Sequence, residues 1–376
     1  MSQKLKVTTV LGTRPEIIRL GAIIKKLDLN FDHRFVHTGQ NAQPELSSVF
    51  YKDLDLRHPD LFLGLEISSL GNFMGGLFPA MERELIENRP DAVLILGDTN
   101  SALVAILAKR MRIPVYHLEA GNRSFDLNVP EEINRKIVDH ASDFNLCYTS
   151  HAARNLEREG IHPRFISVIG SPLREVIDLV KPKLEVSKVL DELGIQSGRF
   201  FLASIHRQEN IDSHERLGNI VDCLNSLVDE YAQPIIVSAH PRFVHKISSL
   251  EKKLNPSVRM VKPFGFVDFL KLQTSSTLVI SDSGSVSEES AIAGFKAVTL
   301  RDSMERPEAL EAGTIIMTGT NAPKFMQVVR IALESPKSEQ VPSDYLIPDT
   351  STRVVNFMTS TIGQYEFWNG IRDSSH

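Results

Sequence analysis

Short apolar β-rich runs alternate with longer amphipathic stretches along this chain. Few folds allow that order: strands joined through helices build parallel sheets covered on both faces. Residues 7–11 read as a first strand, followed by the turn Gly12-Thr13-Arg14 and by Pro15 at a first helical position. Residues 34–38 read as a second strand, and 73–88 as a helix with Pro90 just beyond it. Strands follow at 92–96 and 113–116, a helix over 131–141, and strands at 144–148 and 165–169. After Gly170-Ser171-Pro172 comes a charged helical stretch over 173–198, interrupted at Pro182. Strands recur at 200–204, 234–238, 259–261, 277–280 and 297–300, and residues 351–368 look helical. The expected fold is α/β, with two Rossmann-like, doubly wound parallel-sheet domains facing a cleft. Their expected extents are 1–171 and 172–350, with a C-terminal helix in 351–376 packing back on the first domain.

Composition narrows the function. With 376 residues there is room for two domains, and 42% hydrophobic with 24% charged residues suits a globular chain. A formal charge of -5 without a long basic run argues against nucleic acid as a partner. No run of about 18 apolar residues exists to span a membrane. The first residues lack the apolar core of a signal peptide, so a cytoplasmic location is expected. Cys147 and Cys223, each in an apolar segment, are expected to be buried free thiols.

Acids follow two of the strongest strand patterns. Gly97-Asp98-Thr99 ends the run Ala92-Val93-Leu94-Ile95-Leu96, and Glu119-Ala120-Gly121 follows 113–116. A third pair, Glu131-Glu132, opens a helix after Pro130. The carboxyl edge of a parallel sheet is where ligands bind, so these acids suggest proton transfer there. Each has a structural explanation too: Asp98 as a helix cap, and Glu131 or Glu132 as a first-turn acid facing the helix dipole. Glu119 is the hardest of the set to explain that way.

An anion site is suggested in the second half. Ser281-Asp282-Ser283-Gly284-Ser285-Val286 follows a strand and opens a helix, whose free N–H groups favour a phosphate. Glu289 lies one turn into that helix. Arg14 and Arg19 after the first strand, and Arg306 in Arg301-Asp302-Ser303-Met304-Glu305-Arg306-Pro307-Glu308, place guanidinium groups near other strand ends. His206 and His240 also follow strands. The scatter of acids and histidines predicts no metal site, and neither a dinucleotide fingerprint nor a P-loop occurs.

Taken in order, Leu11-Gly12-Thr13-Arg14-Pro15-Glu16, Leu96-Gly97-Asp98-Thr99, Glu119-Ala120-Gly121, Pro130-Glu131-Glu132-Ile133-Asn134-Arg135, Ser283-Gly284, Glu288-Glu289 and Arg306-Pro307-Glu308-Ala309 resemble the non-hydrolysing UDP-N-acetylglucosamine 2-epimerase family. The resemblance covers most of the chain. It implies a glycosyltransferase-B arrangement of the two domains, a UDP-linked 2-acetamido sugar as substrate, no cofactor, and a homodimer. It implies that a base takes the C2 proton while UDP leaves C1, and that UDP re-adds to the bound glycal with protonation on the other face. Asp98, Glu119 and Glu131 would be the acid/base set, and His206 would assist departure of UDP. Arg14, Arg19, Ser283, Gly284, Ser285, Glu289 and Arg306 would hold the nucleotide, with Glu289 accepting from the ribose hydroxyls and Phe266 against uracil.

One departure from the common enzyme is informative. Asn122-Arg123 follows Glu119-Ala120-Gly121 where Leu-Arg is usual, and the loop to Pro130 is shorter. With residues 128–140 and His37-Thr38-Gly39-Gln40-Asn41, this resembles the branch making UDP-N-acetyl-L-fucosamine from UDP-2-acetamido-2,6-dideoxy-L-talose for bacterial capsule or O-antigen. That branch usually has Cys where Ser124 stands. UDP-N-acetylglucosamine/N-acetylmannosamine interconversion, a retaining UDP-sugar glycosyltransferase and a silent UDP-sugar binder are the competing functions. A transferase needs no proton traffic at C2, and three acids at strand ends favour the epimerase.

Overall fold

The computed structural model describes residues 4–40, 44–239, 241–336 and 340–371. His240 lies outside them. The chain divides into two compact units, Met1–Leu179 joined by the segment from Ser343 onward, and Val180–Pro342. The division falls inside the helix Pro172–Val186 rather than at Ser171. That helix also runs through Pro182, where an interruption was expected. Pro182 lies in the last turn or so, and the break comes at Ser187, beyond it.

The first unit holds a seven-stranded sheet: β1 (Lys6–Leu11), β2 (Asp32–His37), β3 (Leu61–Phe62), β4 (Ala92–Leu96), β5 (Val115–Leu118), β6 (Phe144–Cys147) and β7 (Ile166–Val168). Their spatial order is β3-β2-β1-β4-β5-β6-β7, and every pairing is parallel. The second unit holds β8 (Phe201–Ile205), β9 (Ile235–Ala239), β10 (Val258–Val261), β11 (Leu278–Ser281), β12 (Ala297–Thr299) and β13 (Ile316–Met317), ordered β10-β9-β8-β11-β12-β13 and again parallel. Both sheets are flanked by helices, so the fold is two doubly wound α/β units. Their order reverses between β1 and β4 in one sheet and between β8 and β11 in the other, which sets the ligand-binding edge of each.

Continuous apolar runs make these strands because helices cover both faces. All five side chains of β4 are buried. The two-residue strands β3 and β13 are too short for any periodicity to reveal. The helix Arg14–Asn30 starts from an extended Thr13, has Pro15 in its first turn, and buries Ile17, Leu20, Ile23, Ile24 and Leu27 at helical spacing. The helix Thr350–Thr361, from the far end of the chain, packs on Arg14–Asn30 in the first unit. Its Thr361 hydroxyl lies 2.7 Å from the Tyr116 hydroxyl. Cys147 and Cys223 are buried free thiols, and burial raises the pKa of both. Among the described residues, no helix is long and apolar enough to cross a membrane.

Candidate active site

At the carboxyl edge of the first sheet, the loops after β1, β2 and β4 are drawn together. A Cβ on Gly12 would lie 2.2 Å from Ser101 Oγ and 2.3 Å from Thr38 Oγ1, so only glycine fits this corner. Glu16 ties the loops after β1 and β4. Its Oε2 accepts the Gly12 and Thr13 N–H groups at 3.0 and 2.7 Å, and Oε1 accepts from the Thr99 hydroxyl at 3.1 Å. Full burial outweighs these bonds and raises the Glu16 pKa to about 7. Sequence reasoning quoted Glu16 without giving it a role. The helix start that puts it at the third helical position was the available signal.

Asp98 follows Gly97, whose φ of +69° turns the chain off β4. Arg135 donates to Asp98 Oδ2 at 2.5 Å, and Asn134 holds the Asp98 carbonyl at 2.9 Å. The Asp98 side chain therefore reaches across to the helix Glu131–Ala141 and does not cap the short helix that begins at Asn100. Glu119 has φ +65°, a left-handed backbone that costs a non-glycine residue energy and is concentrated at functional sites. Arg19 NH1 lies 3.1 Å from Glu119 Oε2, and the Arg19 guanidinium sits 5.6 Å from the Tyr148 ring centroid. Asn122 Nδ2 approaches Glu119 Oε1 at 3.5 Å. Arg19, expected at a pyrophosphate, is thus engaged with Glu119. Arg14 is half-buried with no hydrogen bond or ion pair among the described residues, and desolvation lowers its pKa.

The two adjacent glutamates part company. Glu132 is wholly buried and accepts the Ser124 N–H and hydroxyl, both at 2.9 Å, the Phe125 N–H at 3.3 Å and Arg135 NH1 at 3.1 Å. Burial opposes its ionisation, but the bonds from Ser124 and Arg135 outweigh it and hold the pKa below the ordinary value. Glu131 is half-buried, with no hydrogen bond or ion pair among the described residues. One glutamate anchors the loop, and its neighbour is left available. Ser124, in the position usually Cys in the L-fucosamine branch, spends its hydroxyl on Glu132.

At the carboxyl edge of the second sheet, Asp282 is fully buried after β11. It accepts the N–H of His206 at 3.0 Å, of Arg207 at 3.0 Å and the Asn210 amide at 2.9 Å, which fixes the loop after β8. The His206 ring is half-exposed with Nδ1 3.3 Å from Asp282. Ser283, Gly284 and Ser285 lead into the helix Val286–Ala293. Ser285 links Ser283 at 2.9 Å to Glu289 Oε1 at 2.7 Å, and Gln273 holds Glu289 Oε2 at 2.6 Å. Arg306 donates to the Gly284 carbonyl at 3.0 Å and to Glu305 at 3.2 Å. Arg301 NH1 lies 2.6 Å from Glu305 Oε2, and Arg207 NH2 lies 3.9 Å from Oε1. A Cβ on Gly284 would meet Glu305 Oε1 at 2.1 Å. Asp282 and Arg207 have no role assigned from the sequence because 75 residues separate them, whereas Arg301 and Glu305 pair locally, four residues apart. Phe266 opens the helix Phe266–Ser275 and is only 5% exposed, so it offers almost no ring face to a base. Phe264 and Phe269 on either side are partly exposed.

Two doubly wound sheets, one edged with acids and the other with serines and arginines, define a class of two-domain α/β enzyme. Residues 25–359 match the UDP-N-acetylglucosamine 2-epimerase family, and the chain belongs to that family, whose members are isomerases of UDP-sugars. The solved UDP-N-acetylglucosamine 2-epimerase of Rickettsia bellii is similar at 38% identity and a TM-score of 0.91, over 97% of this chain and 98% of that one. The Methanocaldococcus jannaschii enzyme, solved with UDP-GlcNAc and UDP, matches at 35% identity and a TM-score of 0.89, over 95% and 100% of the two chains. A UDP-2,3-diacetamido-2,3-dideoxy-D-glucuronate 2-epimerase of Pseudomonas aeruginosa is 32% identical over 88% of this chain and 92% of its own.

Proposed function

We propose that this chain inverts C2 of a UDP-2-acetamido sugar, and that its substrate is UDP-2-acetamido-2,6-dideoxy-L-talose, converted to UDP-N-acetyl-L-fucosamine. The observation that carries the epimerase chemistry is the placement of Glu119. It stands at a sheet's ligand edge in a left-handed backbone, oriented by Arg19. A C2 proton is weakly acidic, so its removal requires a positioned base and a leaving group whose charge is neutralised. One acid among Glu119, Asp98 and Glu131 takes that proton as the C1–O bond breaks and the electron pair leaves on the UDP oxygen. The product pair is a 2-acetamidoglycal and UDP. Re-addition of the UDP oxygen to C1 with protonation of C2 from the opposite face gives the epimer, so no net redox change occurs and no cofactor is consumed. The Ser283-Gly284-Ser285 loop with the helix that follows, Arg14 and Arg306 hold the diphosphate. Glu289 accepts from the ribose, and His206 protonates or hydrogen-bonds the departing UDP.

The sugar assignment is supported by the loop between Glu119 and Glu131. Asn122 reaches the Glu119 carboxylate, so a residue that departs from the common enzyme touches the central acid of the proposal. The Pseudomonas aeruginosa relative carries the name of an epimerase for a different UDP-diacetamido sugar at comparable identity, so this family accommodates more than one sugar. A cytoplasmic bacterial role in capsule or O-antigen synthesis and a homodimeric state belong to the same proposal. Incubation with UDP-2-acetamido-2,6-dideoxy-L-talose in deuterated water tests it: deuterium enters C2 of both epimers. Faster exchange with UDP-N-acetylglucosamine moves the assignment to that sugar. Transfer to an acceptor without C2 exchange replaces the epimerase with a glycosyltransferase, and UDP binding without turnover with a silent binder.

A further inference from the structure

The helix Glu131–Ala141 is built inside out. It buries Glu132, Arg135 and Asp139 beside Val138, while Ile133 is 53% and Ile137 40% exposed. An amphipathic helix ordinarily turns such isoleucines inward, and burying three ionisable groups is costly unless each is paired. All three are paired, and each reaches an acid-bearing loop. Arg135 holds Asp98, and Glu132 holds Arg135 and the Ser124–Phe125 backbone. Asp139 holds the loop of Glu119 from both sides. Its oxygens each lie 3.2 Å from the Gly121 N–H, and Oδ2 accepts Arg123 NH1 at 2.7 Å. Oδ1 lies 2.8 Å from His117 Nδ1, a close contact outside hydrogen-bond angles. His117 Nε2 in turn reaches the carbonyl of Gly97, the residue before Asp98, at 2.9 Å.

We infer that Asp139 is a positioning residue for the epimerisation. It fixes the residues two before and two after Glu119, and so stabilises the left-handed turn that aims this carboxylate. The rest of the turn is equally constrained. Gly121 has φ +83°, and a Cβ there would lie 2.3 Å from the Ala152 carbonyl oxygen. Asn155 donates to the Gly121 carbonyl at 3.0 Å. Arg123, once it has paired with Asp139, also donates to Glu159 at 2.6 and 2.8 Å. The Asp139 carboxylate is fully buried, so it acts on substrate only through Glu119 and, through His117, through the Gly97-Asp98 turn. A catalytic group displaced by about 1 Å loses roughly a hundredfold in rate, and its supporting shell is what prevents that displacement.

This inference rests on the proposed role of Glu119, and the experiment separates the two. Asp139→Asn, Glu119→Gln and His117→Gln are assayed for C2 exchange and, by calorimetry, for UDP binding, which is proposed to use none of these three residues. Asp139→Asn is expected to lower kcat about a hundredfold with KM and UDP affinity within about threefold of wild type. The amide of His117→Gln overlays Nε2, keeps the Gly97 contact and drops the one to Asp139; a loss of about tenfold in kcat is expected. His117→Asn, whose amide overlays Nδ1, is expected to retain more activity than His117→Gln. Should Asp139→Asn fail to fold, the two His117 variants decide. If Glu119→Gln abolishes exchange while Asp139→Asn and His117→Gln turn over at wild-type rates, the positioning role is refuted. If Glu119→Gln itself turns over, the reading beneath it is refuted instead.

Discussion

The two units present the same architecture and different chemistry. Each is an open parallel sheet whose strand order reverses once, and each reversal gathers loops at the carboxyl edge. On the first edge the outward-facing groups are carboxylates, held by buried cations behind them: Arg19 behind Glu119, and Arg135 behind Asp98. On the second edge both signs are buried together: Arg301, Arg306 and Glu305 are each 4% exposed. Arg301 and Arg306 surround Glu305, and Asp282 gathers backbone and side-chain donors from the loop after β8. Fold alone therefore does not decide what an edge binds. Which groups the edge presents and which it buries behind them does, and on the first edge the buried arginines fix the carboxylates in front of them.

The contrast predicts that substitutions of the first edge's acids act on rate and those of the second edge's Ser283–Ser285 loop on binding. Glu119→Gln is expected to have the largest effect, a loss of C2 exchange of at least about a thousandfold with UDP affinity retained. A comparable loss of UDP affinity on calorimetry would break the division of labour. Gly284→Ala comes next, since its Cβ would displace Glu305 from the arginines. UDP affinity is expected to fall about tenfold to a hundredfold, with kcat at saturation much less affected, and an unchanged dissociation constant would remove the loop from the nucleotide site.

Glu16→Gln tests the corner that joins the loops after β1 and β4. The folded pKa of about 7 lies above the ordinary carboxyl value of 4.5, so the folded state holds a proton that the unfolded chain releases. The contribution of this group is fullest below pH 4.5 and is lost as pH rises through 7. Between pH 5 and 8, urea unfolding is expected to show wild type losing about 2 kcal/mol relative to Glu16→Gln, and a parallel pair of profiles would contradict it. The smallest effect is expected for Ser124→Cys. It weakens the bond to Glu132 and costs about 1 kcal/mol, read as a drop of a few degrees in melting temperature.

The legible parts of this molecule were those written locally. Apolar runs such as Ala92 to Leu96 and the helix over 131–141 announce themselves by composition and spacing, and Asp98 and Glu119 are conspicuous because they end such runs. The supporting partners were not legible. Asp139 lies 18 residues from Gly121 and Asp282 lies 76 from His206, separations that only the topology closes. Periodicity finds the helix Glu131–Ala141 but assigns it the wrong inner face, since its isoleucines are exposed and its charges buried. Arg19 reads as an anion ligand because it follows the first strand, and its contact with Glu119, a hundred residues away, is made only by the fold.

The helix Thr350–Thr361 has a consequence for how the protein is made. The first unit includes a segment encoded at the far end of the chain, with the whole second unit inserted ahead of it. During synthesis at about 5–20 residues per second, the first sheet waits roughly 8–30 seconds for that segment while the second unit emerges. Throughout that interval the stacked Tyr116 and Phe144 rings lack Phe357 and Trp368, which later cover them. The second unit, contiguous in sequence, is free to fold on the ribosome as it appears. The first, which emerges earlier, is completed last, and its aromatic seam is the surface a chaperone has reason to shield.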